Sequence, residues 1–528
     1  MPTTMRNASL ALVSALALGA SIHVQAGPAC SGLSCVFRGQ LVEQHTTLRL
    51  SAPAFSSLLA SNASGQQLAA LAGTPVCNVD MVYLRYLTVG GAGEPTIASA
   101  ALMIPGGSPA CSGPRPLMMY AHGTTAYRNY NIADITQTDP GNGDGAGEGL
   151  AIAAMYAAQG YIVVASNYAG YAGSTLSYHP YLNGDQQAAD MIDSLRAART
   201  VLATSAAGRT TRENGKVFLS GYSQGGYVAM ATHRAMQAAG MRVTAASTGS
   251  GPYAMAATAD ALIEGEVNLG STLFTTLVVT SYQRAYGNIY RRPSEFYEAN
   301  YAPGIENLLP NVKPLNTLFT TGKLPPTHLF SSTSPASQFD AMTPPLAPPL
   351  APPVLTGLFA AGFGPGNLVR NAYRLRVLED AAIHPDGAFP NATTAMLPAA
   401  SPEEPLRQAF KRNDLRNWQP HVPVQLCGGQ ADPTVFFFNA RIEQAYWSNA
   451  NVPAALVTVL DVDSPIAGPG DVYTPIKQGF ALAKAIVASQ AVAAGATDGG
   501  ATAVLQAYHG SLVASFCTVA ARAFFAQF

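Results

Sequence analysis

The chain has 528 residues, 48% of them hydrophobic and only 11% charged, with a formal net charge of −1. That composition excludes intrinsic disorder, which needs low hydrophobicity and high net charge. The near-zero charge also excludes a surface built to displace counterions from nucleic acid. Forty-nine glycines and 38 prolines imply many turns and long ordered loops.

Residues 1–26 read as a secretory signal peptide. Arg6 supplies the positive n-region, Ala8 to Ile22 the apolar h-region, and Val24-Gln25-Ala26 a small-residue cleavage site before Gly27. The apolar run falls short of the ~20 residues a spanning helix requires. The mature chain is therefore expected outside the cytoplasm, extracellular or periplasmic, with no integral membrane association. All six cysteines (Cys30, Cys35, Cys77, Cys111, Cys427 and Cys517) follow the signal, and an even count in an exported chain predicts disulfides.

Residues 27–75 form a polar lead-in with one expected helix over 52–71. Met81 to Val89 and Thr96 to Ile104 predict a β-hairpin turning at Gly90-Gly-Ala-Gly93. From there the rhythm is βα. Strands are expected at 116–121, 161–166, 216–220 and 242–247, and helices at 147–159, 185–203 and 225–239. Short apolar runs alternating with helices predict a mostly parallel sheet, an α/β fold. The rhythm stops at Gly249-Ser-Gly-Pro252. Residues 253–420 read as a mainly helical or irregular insertion carrying a proline tract, Pro344 to Pro353. The rhythm resumes with strands at 422–426 and 455–460 and helices at 439–448 and 511–525. The division is thus a first core part (76–252), an insertion (253–420) and a second core part (421–528). Because the insertion leaves and rejoins at sheet strands, it should project over their carboxyl ends as a cap. A separate domain packed on the side is the alternative.

Gly221-Tyr-Ser223-Gln-Gly225 matches G-x-S-x-G. A strand runs in through Val217 to Ser220 and a helix runs out from Gly226, the context of a nucleophile elbow. A serine hydroxyl needs a base to take its proton, and on this elbow the chain order is serine, acid, histidine. His233, His328, His384 and His421 precede the last βα unit, which leaves His509. Asp432, in the turn after the 422–426 strand, is the expected acid, with Asp461 and Asp463 as rivals. Backbone donors for an oxyanion are expected at Gln224, directly after the nucleophile, and at Thr124 in Ala121-His-Gly-Thr-Thr125, with Thr125 as second choice. His122 is read as a brace for that loop. The disulfides expected are Cys77–Cys111 across the hairpin, Cys427–Cys517 joining the acid and base segments, and Cys30–Cys35.

Ala-His-Gly-Thr-Thr, the segment Val163 to Tyr171, Gly-Tyr-Ser-Gln-Gly-Gly and the Gly-x-x-Asp-Pro turn together resemble secretory lipases of the α/β-hydrolase superfamily, the yeast lipase A type. The resemblance covers residues 80–250 and 415–528. It implies ester hydrolysis by Ser223, Asp432 and His509, an oxyanion hole at Thr124 and Gln224, and a helical cap in the insertion. The reading is a secreted carboxylic ester hydrolase acting on a small-molecule, lipid or polyester ester. A serine peptidase of the prolyl-oligopeptidase type and a non-catalytic hydrolase-fold binding protein are the alternatives. No cofactor or metal is expected, since neither dinucleotide glycine spacing nor clustered metal ligands occur.

Overall fold

The computed structural model describes residues 37–346, 352–389 and 396–528. The signal peptide over 1–26 and the Cys30–Cys35 pairing lie outside the described residues, as does part of the proline tract.

Strand β1 (Leu41–Leu50) is an edge strand, followed by helices α1 (Ala52–Ala60) and α2 (Ala63–Ala72). The sequence reading expected no strand here and a single helix. β1 is mostly exposed on both faces, so no alternation marks it. Asn62 splits the helical stretch, its side chain accepting the Gly65 amide as an N-cap. Strands β2 (Asn78–Val89) and β3 (Pro95–Gly106) form the hairpin, paired antiparallel with Tyr83 opposite Ala101. A Cys77–Cys111 disulfide spans its open end.

The chain continues through β4 (Gly113–Ala121), α3 (Gly143–Met155), β5 (Ile162–Ser166), α4 (Gly184–Thr204), β6 (Thr211–Tyr222), α5 (Gln224–Ala238) and β7 (Ala245–Gly249). The insertion carries α6 (Met255–Ile263), α7 (Ser271–Tyr286), α8 (Asn371–Ile383) and α9 (Pro405–Arg412), with short helical turns between them. Then come β8 (Val424–Gly428), α10 (Phe438–Asn449), β9 (Val457–Asp461), α11 (Thr474–Ala493), α12 (Ala501–Ala507) and α13 (Ala514–Phe525).

The nine strands form one sheet in the order β1-β2-β3-β5-β4-β6-β7-β8-β9. Pairing is antiparallel up to β3–β5 and parallel from β5–β4 onward. The inner parallel strands are buried on both faces along their apolar stretches, which explains why PLMMYA, IVVAS and VFLS read as continuous apolar runs. Their register aligns Ala121 with Gly221, Tyr222 with Gly249, and Gly249 with Cys427. The segments beginning at His122, Ser223, Ser250 and Gly429 therefore leave the sheet at one common edge, the carboxyl edge where ligands bind in open α/β sheets.

One continuous apolar core joins sheet residues such as Leu117 and Leu219 to insertion residues such as Phe330 and Tyr373. The helical run Ala501–Phe525 is long and apolar enough to cross a membrane by length and composition. Its Cys517, Ala520, Ala521 and Phe524 are buried, and a Cys427–Cys517 disulfide ties it to β8.

Candidate active site

Ser223 sits between β6 and α5 with φ 58° and ψ −125°, a conformation that costs a non-glycine residue on the order of 1–3 kcal/mol. The surrounding backbone holds it there. Its amide donates to the Gly249 carbonyl at 2.9 Å, and its carbonyl accepts the Gly226 amide at 2.9 Å. The turn closes only around glycine. A Cβ at Gly221 would stand 2.2 Å from the Gly225 carbonyl oxygen, and one at Gly225 would stand 1.9 Å from that of Ala121.

His509 Nε2 lies 2.9 Å from Ser223 Oγ, and its Nδ1 lies 2.8 Å from Asp432 Oδ2. Asp432 is 1% exposed and tightly furnished. Its Oδ1 accepts the amides of Thr434 and Val435, and its Oδ2 accepts the Ser250 hydroxyl. With the Nδ1–H facing this carboxylate, Nε2 is left as the acceptor for the serine proton. The sequence reading placed His509 in a loop. It lies instead in a π-helical turn, Tyr508–Val513, that joins α12 to α13. Such turns recur at functional sites because the extra residue redirects a side chain. The Tyr222 hydroxyl donates to the His509 carbonyl at 2.6 Å and pins the turn.

The rival acids are engaged elsewhere. Asp461 Oδ1 accepts the amides of Gln430 and Asp463, while Asp463 bonds the Tyr508 hydroxyl and Lys484. Among the earlier histidines, His233 is fully buried against Trp418, and burial pushes its pKa down to about 3. His328 faces the Pro365 carbonyl. His122 is buried between the rings of Tyr130 and Tyr168, with its ring nitrogens near the carbonyls of Gly123 and Asn167.

Gln224 opens α5, where first-turn amides have no intrahelical partner and the helix end favours negative charge. Thr124 borders the same cleft as Ser223 and His509, and its hydroxyl lies 2.9 Å from that of Tyr181. The Thr125 hydroxyl accepts the Tyr127 amide, and its carbonyl accepts the Tyr171 hydroxyl. The sequence reading missed Glu148. Its carboxylate accepts the hydroxyls of Tyr120 at 2.7 Å and Tyr130 at 2.6 Å, and it borders the cleft beside Thr124. No spacing rule marks it, because its partners lie on separate elements.

Two cavities meet at Ser223. One, of about 100 Å³, is walled by Met255 and Leu262 of α6, Phe274 and Val278 of α7, and Phe330 and Phe410. The other is a wider cleft of about 750 Å³, bordered by Thr124, Asp144, Glu148, Gln506 and His509. Among the described residues no group of three or more His, Cys, Asp or Glu could hold a metal ion.

Comparisons with protein-family models and with curated protein sequences give no match. Solved structures do match. The ligand-bound rice cell wall degrading esterase LipA from Xanthomonas oryzae is 27% identical with a TM-score of 0.63, over 92% of this chain and 98% of that one. A second structure of the same esterase is 28% identical with a TM-score of 0.60, over 85% and 95%. Candida antarctica lipase A in its closed state is 13% identical with a TM-score of 0.46, over 81% and 77%. The mostly parallel sheet gives this chain the α/β-hydrolase fold, and the likeness to the Xanthomonas esterase over nearly its whole length makes it a carboxylic ester hydrolase.

Proposed function

We propose that this chain is a secreted serine esterase working through Ser223, His509 and Asp432 and an acyl-enzyme intermediate. One observation carries the reading: an unbroken hydrogen-bonded relay from Ser223 Oγ through His509 to Asp432 at 2.9 and 2.8 Å. In acylation Ser223 Oγ attacks the ester carbonyl carbon while His509 Nε2 takes its proton, and Asp432 stabilises the imidazolium. The carbonyl oxygen becomes an oxyanion held by the backbone amides of Gln224 and Thr124. Collapse breaks the bond to the alcohol oxygen, which leaves with the proton from His509. Water then repeats the sequence on the acyl-enzyme, releasing the acid and restoring Ser223.

The insertion, residues 253–420, acts as a cap that sets substrate choice. Its α6 and α7 wall the apolar cavity, which takes the acyl chain. The open cleft takes the alcohol and leaves room for a bulky or polymer-bound one. The relative is named for degrading rice cell wall, and such a role suits a chain exported to act outside the cell. The expected signal sequence and two disulfides support export. In the test, a fluorophosphonate probe labels Ser223, and Ser223→Ala loses the label. Turnover of p-nitrophenyl esters falls about 10⁴-fold or more while the melting temperature stays put. Labelling at another residue, or a peptide anilide cleaved in preference to every ester, overturns the reading.

A further inference from the structure

The apolar cavity beside Ser223 is less apolar than its walls suggest. Gln224, Asn268 and Thr275 all border it, and each keeps a side-chain oxygen that is buried and without a hydrogen-bond partner among the described residues. Gln224 is 1% exposed and Thr275 is 7% exposed.

The orientation of each group follows from its neighbours. His179 Nδ1 lies 2.8 Å from the Ala169 carbonyl, so Nδ1 carries the ring proton and Nε2 is an acceptor. Burial pushes the His179 pKa down to about 3, which keeps the ring neutral at any working pH. Nε2 therefore receives the Gln224 amide nitrogen at 2.7 Å, and Gln224 Oε1 is the atom left over. Asn268 commits its Nδ2 to the Thr434 carbonyl, which leaves Oδ1. A helical threonine can donate to the carbonyl four residues back, as Thr276 does to Thr272 at 2.8 Å, whereas the hydroxyl of Thr275, like those of Thr272 and Ser281 on the same helix, has no partner among the described residues. The residues bordering the cavity thus carry two amide oxygens that can only accept and one hydroxyl that can do either.

An unsubstituted acyl chain brings no donor or acceptor and leaves each of these buried atoms unpaired. A chain hydroxyl can supply the missing bond to either amide oxygen, whereas a keto or ether oxygen has no proton to give and can pair only with the Thr275 hydroxyl. We propose that this cavity is a subsite for a hydroxyl-bearing acyl chain. The proposal rests on the acyl-enzyme reading above and narrows its substrate to esters of hydroxy fatty acids.

The test uses p-nitrophenyl octanoate, the series of hydroxyoctanoates with the hydroxyl moved along the chain, and the methyl ether of each. Each rate is normalised to that ester's alkaline hydrolysis. At one or more positions kcat/KM of the hydroxy ester should exceed those of its methyl ether and of octanoate by about tenfold, the cost of one buried hydrogen bond left unmade. Thr275→Val should shrink the advantage over octanoate by several-fold, because the hydroxyl it removes can pair with the chain's oxygen. This variant should melt no lower than the wild type, since the hydroxyl it loses has no partner. Octanoate preferred over every hydroxy ester, with Ser223 still labelled by the fluorophosphonate, overturns the hydroxyl subsite and leaves the serine esterase standing. A preference that survives Thr275→Val at full size overturns the placement of the subsite. Absence of ester turnover together with an unlabelled Ser223 overturns both readings.

Discussion

The sheet and the insertion solve the same packing problem by different means. At the carboxyl edge of the sheet, position comes from strand register. Aligned strand ends deliver the Thr124 loop, Ser223, Ser250 and the Asp432 turn to one place, and backbone amides fix the carboxylate. The insertion has no sheet to order it and is stapled by buried arginines. Arg407 reaches Asp260 and Asp380, Arg416 reaches Asp386 and Asp414, and Arg374 lies over the Phe330 ring while donating to the Ile263 and Met342 carbonyls. Buried ion pairs add little net stability over apolar packing but are costly to break. Strand register thus places the polar groups at the sheet edge, and arginine staples order an insertion that no sheet holds.

The largest expected effect falls on the sheet side. Asp432→Asn keeps the fold but lets the His509 ring adopt the wrong tautomer, and kcat/KM for a p-nitrophenyl ester should fall about 10³–10⁴-fold. Asp461→Asn, one strand further along the same edge, should cost less than about tenfold, because Asp461 bonds only the amides of Gln430 and Asp463. If Asp461→Asn proves the more damaging of the two, strand register does not select the acid as argued.

That contrast also separates what the sequence carries from what it hides. The elbow is legible because its backbone demands glycines at fixed offsets from Ser223, between a strand and a helix. Chain order then singles out His509 and leaves Asp432 with Asp461 and Asp463 as rivals, and the structure brings Asp432 to His509 and Ser223. The parallel strands are legible as unbroken apolar runs. Strand β1 is not, because both of its faces are largely exposed. Helix α11 escaped the reading as well, since among its alanines only Phe480 is buried and no stripe stands out. The arginine staples are invisible in sequence. Arg407 and Asp260 are 147 residues apart, and no spacing rule links them. The unpartnered oxygens of Gln224, Asn268 and Thr275 are equally hidden, since only the fold decides which polar atoms lose their partners.

On the insertion side, Arg416→Met should lower the unfolding free energy by about 3–5 kcal/mol, because Asp386 and Asp414 would be left buried without a counter-charge. Urea denaturation at neutral pH measures the loss. Below the variant's transition the fluorophosphonate should still label Ser223, since the strand ends stay in place, while preference among acyl lengths should broaden. A loss under about 1 kcal/mol, the range of an exposed pair, breaks the picture of a stapled cap.

The smallest effect tests the seam between the two regions. Glu443 on α10 is fully buried, and neither carboxylate oxygen has a hydrogen-bond partner. Burial, reinforced by Asp414, pushes its pKa up to about 8, against an opposing pull from Arg416 and Arg234. The unfolded chain releases this proton near the ordinary glutamate value of about 4.3, so between that pH and about 8 the folded state holds a proton that the unfolded state lacks. The stability this supplies is fully present below the unfolded value and is lost as pH rises through the window, levelling off above about 8. Glu443→Gln has no proton to lose, so it should match the wild type near pH 4 and exceed it increasingly toward pH 8.5. Paired melting curves across that range measure the gap. A constant gap, or one that narrows as pH rises, shows that Glu443 is ionised in the folded protein and that the seam tolerates a bare carboxylate beside Asp414.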